Sequence, residues 1–210
     1  MTGDRPDSFA AGLGHGPARD QSAAEVSEDA MFVNAARSGD RDAFGRLYDR
    51  YARMVHGVLL AKVPVDEVDD LVQDVFLLAL RRLSTLREAG SFGAWLAAIA
   101  RNRANDFHRR SVPVDQLAED PSENDSEPTS ITADHPGPAA AILDTIRTLP
   151  DTYRETLILR LVEGMTGPEI AARTGLTHGS VRVNLHRGMQ QLRAKLSVNP
   201  SAHRPELETP

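Results

Sequence analysis

Arg101, Asn102, Arg103, Asn105, Arg109 and Arg110 put four arginines and two asparagines into ten residues. Guanidinium forks suit phosphate oxygens and amide side chains suit base edges, so the run has the chemistry of a nucleic-acid contact. Phe92 and Trp95 precede it and could stack on unpaired bases. Trp95 also falls on an apolar stripe, where burial is the simpler role, and arginines near a helix C-terminus interact favourably with its dipole without any ligand. A second basic run holds Thr177, His178, Ser180, Arg182, Asn184 and Arg187; residues 170–196 carry five basic side chains and no acid. A third cluster is acidic: Asp66, Glu67, Asp69 and Asp70, followed by Gln73 and Asp74. Acids at a helix start are favourable as a solvated face, and they equally offer a docking surface to a basic partner. Adjacent Asp69 and Asp70 point in different directions, and His178 and His186 are poorly spaced to share an ion, so no metal ligand set is expected. With no cysteine, disulfides, thiolate zinc sites and iron–sulfur clusters are excluded. No glycine-rich phosphate loop or Ser-His-Asp grouping is present, so neither a catalytic residue nor a cofactor is expected.

These groups need elements to hold them. The pattern predicts a short helix capped by Ser27 and running to Arg37, where Gly39 stops it. A longer one starts near Asp40 with Phe44, Leu47, Tyr48, Tyr51, Val55, Val58 and Leu59 at helical spacing, and Pro64 breaks it. Asp66 can cap a third, carrying Val68, Leu71, Val72, Val75, Phe76 and Ala79. Ser91 can cap a fourth, with Phe92, Trp95, Leu96, Ile99 and Phe107 on one side. Four apolar stripes of this kind must pack on one another.

After a gap, residues 139–147 read as a short helix ended by Leu149-Pro150, and 151–163 as another stopped by Gly164. Thr166-Gly-Pro-Glu169 has capping-box spacing, with Pro168 tolerated in the first turn. Gly175 suits the tight turn that ends this helix. Thr177 then caps a last helix to about residue 196. Val181, Leu185, Leu192 and Leu196 should face inward there, and His178, Ser180, Arg182, Asn184 and Arg187 outward. Two helices joined by a glycine turn form a helix-turn-helix, whose second helix presents cations and forked donors to a major groove. No segment alternates with period two. The expected fold class is all-α: two small helical domains joined by a flexible acidic linker.

The charge distribution supports that division. The net charge of −6, on 24 basic and 30 acidic side chains, averages unlike segments. Residues 31–110 and 140–198 are each +3, residues 1–30 are −4, and residues 111–138 hold seven acids and no base. That central segment also carries Pro113, Pro121, Pro128, Pro136 and Pro138, and it lacks the apolar surface to offset ordering. The expected organisation is a disordered leader over 1–26, a helical domain over 27–110, a linker over 111–138, a helix-turn-helix domain over 139–197 and a disordered tail over 198–210. Fully extended, the linker would reach roughly 100 Å. No apolar run approaches a membrane span and no signal peptide opens the chain, so a cytoplasmic protein without membrane insertion is expected.

Taken together these residues resemble a bacterial RNA polymerase sigma factor of the extracytoplasmic-function type, within the sigma-70 family. The string Val68-Asp-Asp-Leu-Val-Gln-Asp-Val-Phe76 looks like the polymerase-binding helix of the second sigma region. Phe92-Gly-Ala-Trp95-Leu96, Ile99-Ala-Arg-Asn102, Asp106 and Arg109-Arg110 match the next helix of that region. Leu149-Pro150, Glu169-Ile-Ala-Ala and Val181-Arg-Val-Asn-Leu-His-Arg187 match the fourth region. Departures are modest: Ser180 stands where threonine is usual, Asp69 where Glu is common, Gly188 in place of alanine, and Pro168 just before Glu169.

The resemblance implies docking on core RNA polymerase through Asp69, Asp70, Leu71, Gln73, Asp74 and Phe76. It implies capture of the melted minus-ten element of promoter DNA by Trp95, Arg101, Asn102, Arg103, Asn105, Arg109 and Arg110, with the loop over 84–90. The minus-thirty-five duplex would be read by Thr177, His178, Ser180, Arg182, Asn184 and Arg187. An anti-sigma factor is an implied partner, and the acidic linker would lie in polymerase channels meant for nucleic acid. The leading alternative is a helix-turn-helix repressor or activator with an N-terminal sensing bundle. It accounts for the last third of the chain but not for the paired acidic and arginine-rich helices before the linker.

Overall fold

The computed structural model describes residues 18–111 and 138–198; the expected linker and tail, apart from the helix-end residues Ser111, Pro138 and Val198, and most of the expected leader lie outside them. Four helices make the first unit: α1 (Ala18–Arg37), α2 (Arg41–Leu60), α3 (Val68–Arg82) and α4 (Phe92–Ser111). Four make the second: α5 (Pro138–Arg147), α6 (Asp151–Leu161), α7 (Gly167–Thr174) and α8 (His178–Val198). No strand occurs among the described residues, as the absence of period-two patterning requires. Among them, too, no helix is long and apolar enough to cross a membrane.

Local chemistry explains most boundaries. Asp40 caps α2 by accepting from the Ala43 N–H at 3.0 Å, and α2 ends at Leu60, ahead of Pro64. Thr166 and Glu169 close a reciprocal capping box on α7. Thr177 Oγ1 accepts from the Ser180 N–H at 3.1 Å and so caps α8. Gly175 sits at φ +76°, ending α7 in the left-handed region that favours glycine.

Two boundaries differ from expectation. α1 begins at Ala18, not after Ser27. The segment after Pro17 is rich in alanine with Gln21 and Glu25, all good helix formers, and contains no Pro or Gly to stop it. Asp66 does not cap α3; it lies in a single 3-10 turn, Val65–Glu67, that leads into the helix.

α2 is the central element. Leu47, Met54, Val55, Val58 and Leu59 are fully buried on it, between α1, α3 and α4. In the second unit Ile146, Leu149, Leu157, Ile158 and Ile170 are equally buried. The two sets merge into one continuous core, because α6 and α7 pack directly on α2 and α4.

The contact between units is close and polar at its edges. Gly57 and Gly93 permit it: a Cβ at Gly57 would lie 2.7 Å from Leu159 Cδ2, and one at Gly93 would lie 2.7 Å from the Arg173 carbonyl oxygen. α2 has no basic residue in its own last turn, so its terminal carbonyls need partners from elsewhere. The second unit supplies them. Arg147 donates to the carbonyls of Leu60 at 3.1 Å and Val63 at 2.8 Å, and Arg154 donates to that of Ala61 at 3.3 Å. The cations also sit favourably at the negative end of the α2 dipole.

Candidate nucleic-acid interface

α3 presents one exposed stripe. Asp69, Asp70 and Gln73 lie on it, as the acidic cluster foretold. Leu77 and Leu80, 52% and 47% exposed, continue it over the next two turns. Sequence reasoning missed both leucines, although their spacing from Gln73 is the helical signal that could have found them. Two expected members do not belong to the surface. Leu71 and Phe76 are buried, with the Phe76 ring 4.6 Å from that of Tyr48 and 6.4 Å from that of Phe44. Leu71 falls on the side of α3 opposite Asp69, and Phe76, at the edge of the stripe, is covered by Phe44 and Tyr48 of α2, so any role of these two in docking is to hold the stripe from beneath. Asp74 is half-buried and paired with Arg103.

α3 and α4 flank an open cleft of about 830 Å³ whose walls include Arg81, Arg82, Asn102, Arg103, Asn105 and Arg109. Asn102 and Asn105 are exposed, as is Arg110. Arg109 pairs with Asp106 one turn earlier. Trp95 is half-buried against the core, its ring 5.9 Å from that of Phe92.

Arg101 is committed to the second unit. Its Nε and Nη2 donate to Glu155 at 3.0 and 2.7 Å. This two-pronged contact holds the guanidinium pKa above its ordinary value, outweighing the burial that would lower it. His56 Nδ1 lies 2.6 Å from Glu163 Oε1 across the same boundary. That hydrogen bond raises the imidazole pKa, outweighing partial burial, with the charges of Glu163 and Asp69 adding to it. Neither acid was singled out from the sequence, since 54 and 107 residues separate them from their partners.

On α8 the surface comprises His178, Arg182, Val183, His186 and Arg187, with Thr177 and Ser180 exposed at its cap. The Thr177 and Ser180 hydroxyls are 2.8 Å apart, bonded to each other. Asn184 departs from expectation: it is buried, its Nδ2 donating to Thr156 Oγ1 at 3.5 Å. Val181 and Gly188 set the inner face, and Asn184 lies between them at three and four residues' spacing, so the helix turns it inward. Gly188 has a steric reason to be glycine. A Cβ would come within 3.0 Å of Leu157 Cδ1 and 3.1 Å of Tyr153 Cβ, so the missing methyl lets α8 approach α6.

Among the described residues no group of three or more His, Asp and Glu could hold a metal ion. The surfaces offered are therefore cationic ridges for a polyanion and an acid–leucine stripe for a protein. The class of fold is a helical bundle followed by, and packed against, a helix-turn-helix unit.

Residues 47–112 match the Sigma-70 region 2 family, and residues 139–192 match Sigma-70, region 4. The chain is 33% identical over 183 residues to the ECF RNA polymerase sigma factor BldN of Streptomyces coelicolor, covering 84% of this chain and 67% of that protein. It is 34% identical over 163 residues to the RNA polymerase sigma factor CarQ of Myxococcus xanthus, covering 76% of this chain and 92% of that one. Its fold is similar to CnrH, solved in complex with the cytosolic domain of CnrY, at a TM-score of 0.55 and 26% identity over 82% of this chain and 99% of that one. The chain belongs to the extracytoplasmic-function group of the sigma-70 family of RNA polymerase sigma factors.

Proposed function

We propose that this chain binds core RNA polymerase and directs it to promoters by reading a minus-ten element with its first unit and a minus-thirty-five element with its second. The observation that carries this reading is the pairing, in one chain, of the exposed α3 stripe with two cationic helices on separate units. A repressor would need the α8 surface alone and leaves the other two without a use.

In the proposal Asp69, Asp70 and Gln73 meet basic side chains of the polymerase, and Leu77 and Leu80 supply the apolar burial. Asn102, Arg103, Asn105, Arg109 and Arg110 contact the melted strand along the α3–α4 cleft. His178, Arg182 and Arg187 approach the upstream duplex from the N-terminal half of α8, where a recognition helix meets base edges. Arg101 joins the DNA only after Glu155 releases it, so promoter reading requires the two units to part. Parting also exposes the carbonyls at the end of α2 to water, which can satisfy them. The linker over 111–138, long enough by sequence to span separated elements, remains the tether. The division into two domains at that linker is part of the same proposal.

An inhibitory partner is proposed as well. CnrH, which this fold is similar to, is solved with the cytosolic domain of another protein, CnrY, and an anti-sigma factor of this chain would have the same α3 stripe and cationic helices to cover. The test is reconstitution. Purified chain is added to bacterial core polymerase, and co-elution and promoter-dependent start sites are measured. Wild type should bind and create new start sites, and Leu77→Asp should abolish co-elution while leaving the helical circular-dichroism spectrum intact. Tight duplex binding by the chain alone, with no polymerase association, would instead favour the repressor.

A further inference from the structure

One residue on the outer surface of α8 is accounted for neither by packing nor by charge. Val183 is 42% exposed. With Arg182, His186 and Arg187 it lines a shallow depression on that face. The inner face is complete without it, since Val181, Asn184 and Gly188 all face α6 or the core. Helix formation gains nothing from it either, because a β-branched side chain loses rotamer freedom in a helix and lowers propensity.

The three neighbours divide the polar work among themselves. Arg182, His186 and Arg187 can donate to phosphates or to the N7 and O6 acceptors of guanine. Val183 can donate and accept nothing. The apolar group that base pairs present in the major groove is the C5-methyl of thymine, and an aliphatic side chain is its natural contact. Val183 stands in the second turn of α8, one residue from Arg182 and three and four residues from His186 and Arg187, so whatever duplex those cations hold is brought against it. The surrounding guanidiniums fix the helix on the backbone, and burial of the two methyl surfaces excludes water between them.

We propose that Val183 is a specificity-determining residue that reads one thymine of the upstream promoter duplex by packing on its 5-methyl group. The proposal rests on the reading that α8 enters the major groove. A lone exposed valine is common on protein surfaces, so the test must isolate the methyl.

Holoenzyme is reconstituted from core polymerase and the full chain, and bound promoters are selected from a pool randomised upstream of the minus-ten element. Each upstream thymine of the selected sequence is then replaced singly by deoxyuridine, which removes only the methyl. At one position wild-type holoenzyme should lose about threefold to fivefold in affinity, the contribution of one buried methyl. V183A should show no penalty at that position and should no longer select thymine there, with every other selected position retained. Insensitivity of wild type to deoxyuridine at all upstream thymines, or an unaltered selection by V183A, overturns the assignment. If R182A erases upstream preferences while V183A alters none, only the valine assignment falls. If wild-type holoenzyme selects no upstream sequence at all, the major-groove reading of α8 falls with it.

Discussion

The Arg101–Glu155 contact offers the sharpest check on the closed arrangement of the two units. Two charge-assisted hydrogen bonds of 3.0 and 2.7 Å join a buried carboxylate to a guanidinium whose side chain is 29% exposed. A hydrogen bond to a charged group is worth about 1.5–3 kcal/mol, and a fully buried pair broken on one side costs about 3–5 kcal/mol. Arg101 keeps some water and can swing outward, whereas Glu155 cannot, so the lower range applies. A double-mutant cycle with Arg101→Met and Glu155→Gln in urea unfolding should give a coupling of about 1–2 kcal/mol. Because the natural chain has no cysteine, single cysteines at exposed Ser38 and Arg193 can carry a fluorophore pair that reports the separation of the units directly. Each single variant should lower energy transfer, and 0.5 M salt should weaken the coupling only partly, since a largely buried pair is poorly screened. A coupling within about 0.3 kcal/mol of zero, with energy transfer unchanged, would refute the idea that this pair holds the units together.

The same boundary yields two more expected outcomes. His56 has a raised pKa because of its hydrogen bond to Glu163. Its contribution is therefore complete below the unfolded value of about 6.5 and is lost as pH rises through the raised folded value. Energy transfer between the units should fall over that interval, and His56→Gln should flatten the change; an identical profile in the variant would sink the assignment. Gly175→Ala should lower the melting temperature, because φ is +76° and the new Cβ would lie 2.6 Å from Ala94 Cβ on α4. The expected cost is about 1–3 kcal/mol, and an unchanged melting curve would show that α7 does not approach α4 so closely.

What the sequence determined by itself was local. Apolar residues at i, i+3, i+4 and i+7 specified the helices, and Asp40, Thr166 with Glu169, Gly175 and Thr177 marked ends that the structure uses. Those signals work because a cap or a positive φ involves only neighbouring residues. The acidic face of α3 and the cations of α4 and α8 were legible for the same reason, since charge on an amphipathic helix follows its period. Asn184, assigned outward, turned inward, whereas Leu77, Leu80 and Val183, which lie off the apolar stripes read from the sequence, turned outward. Tertiary structure alone decided the rest. The carbonyls ending α2 are satisfied by Arg147 and Arg154, and the foremost arginine of α4 is held by Glu155. A charge finds its partner through the packing of distant elements, and sequence separation carries no record of which buried surfaces will meet.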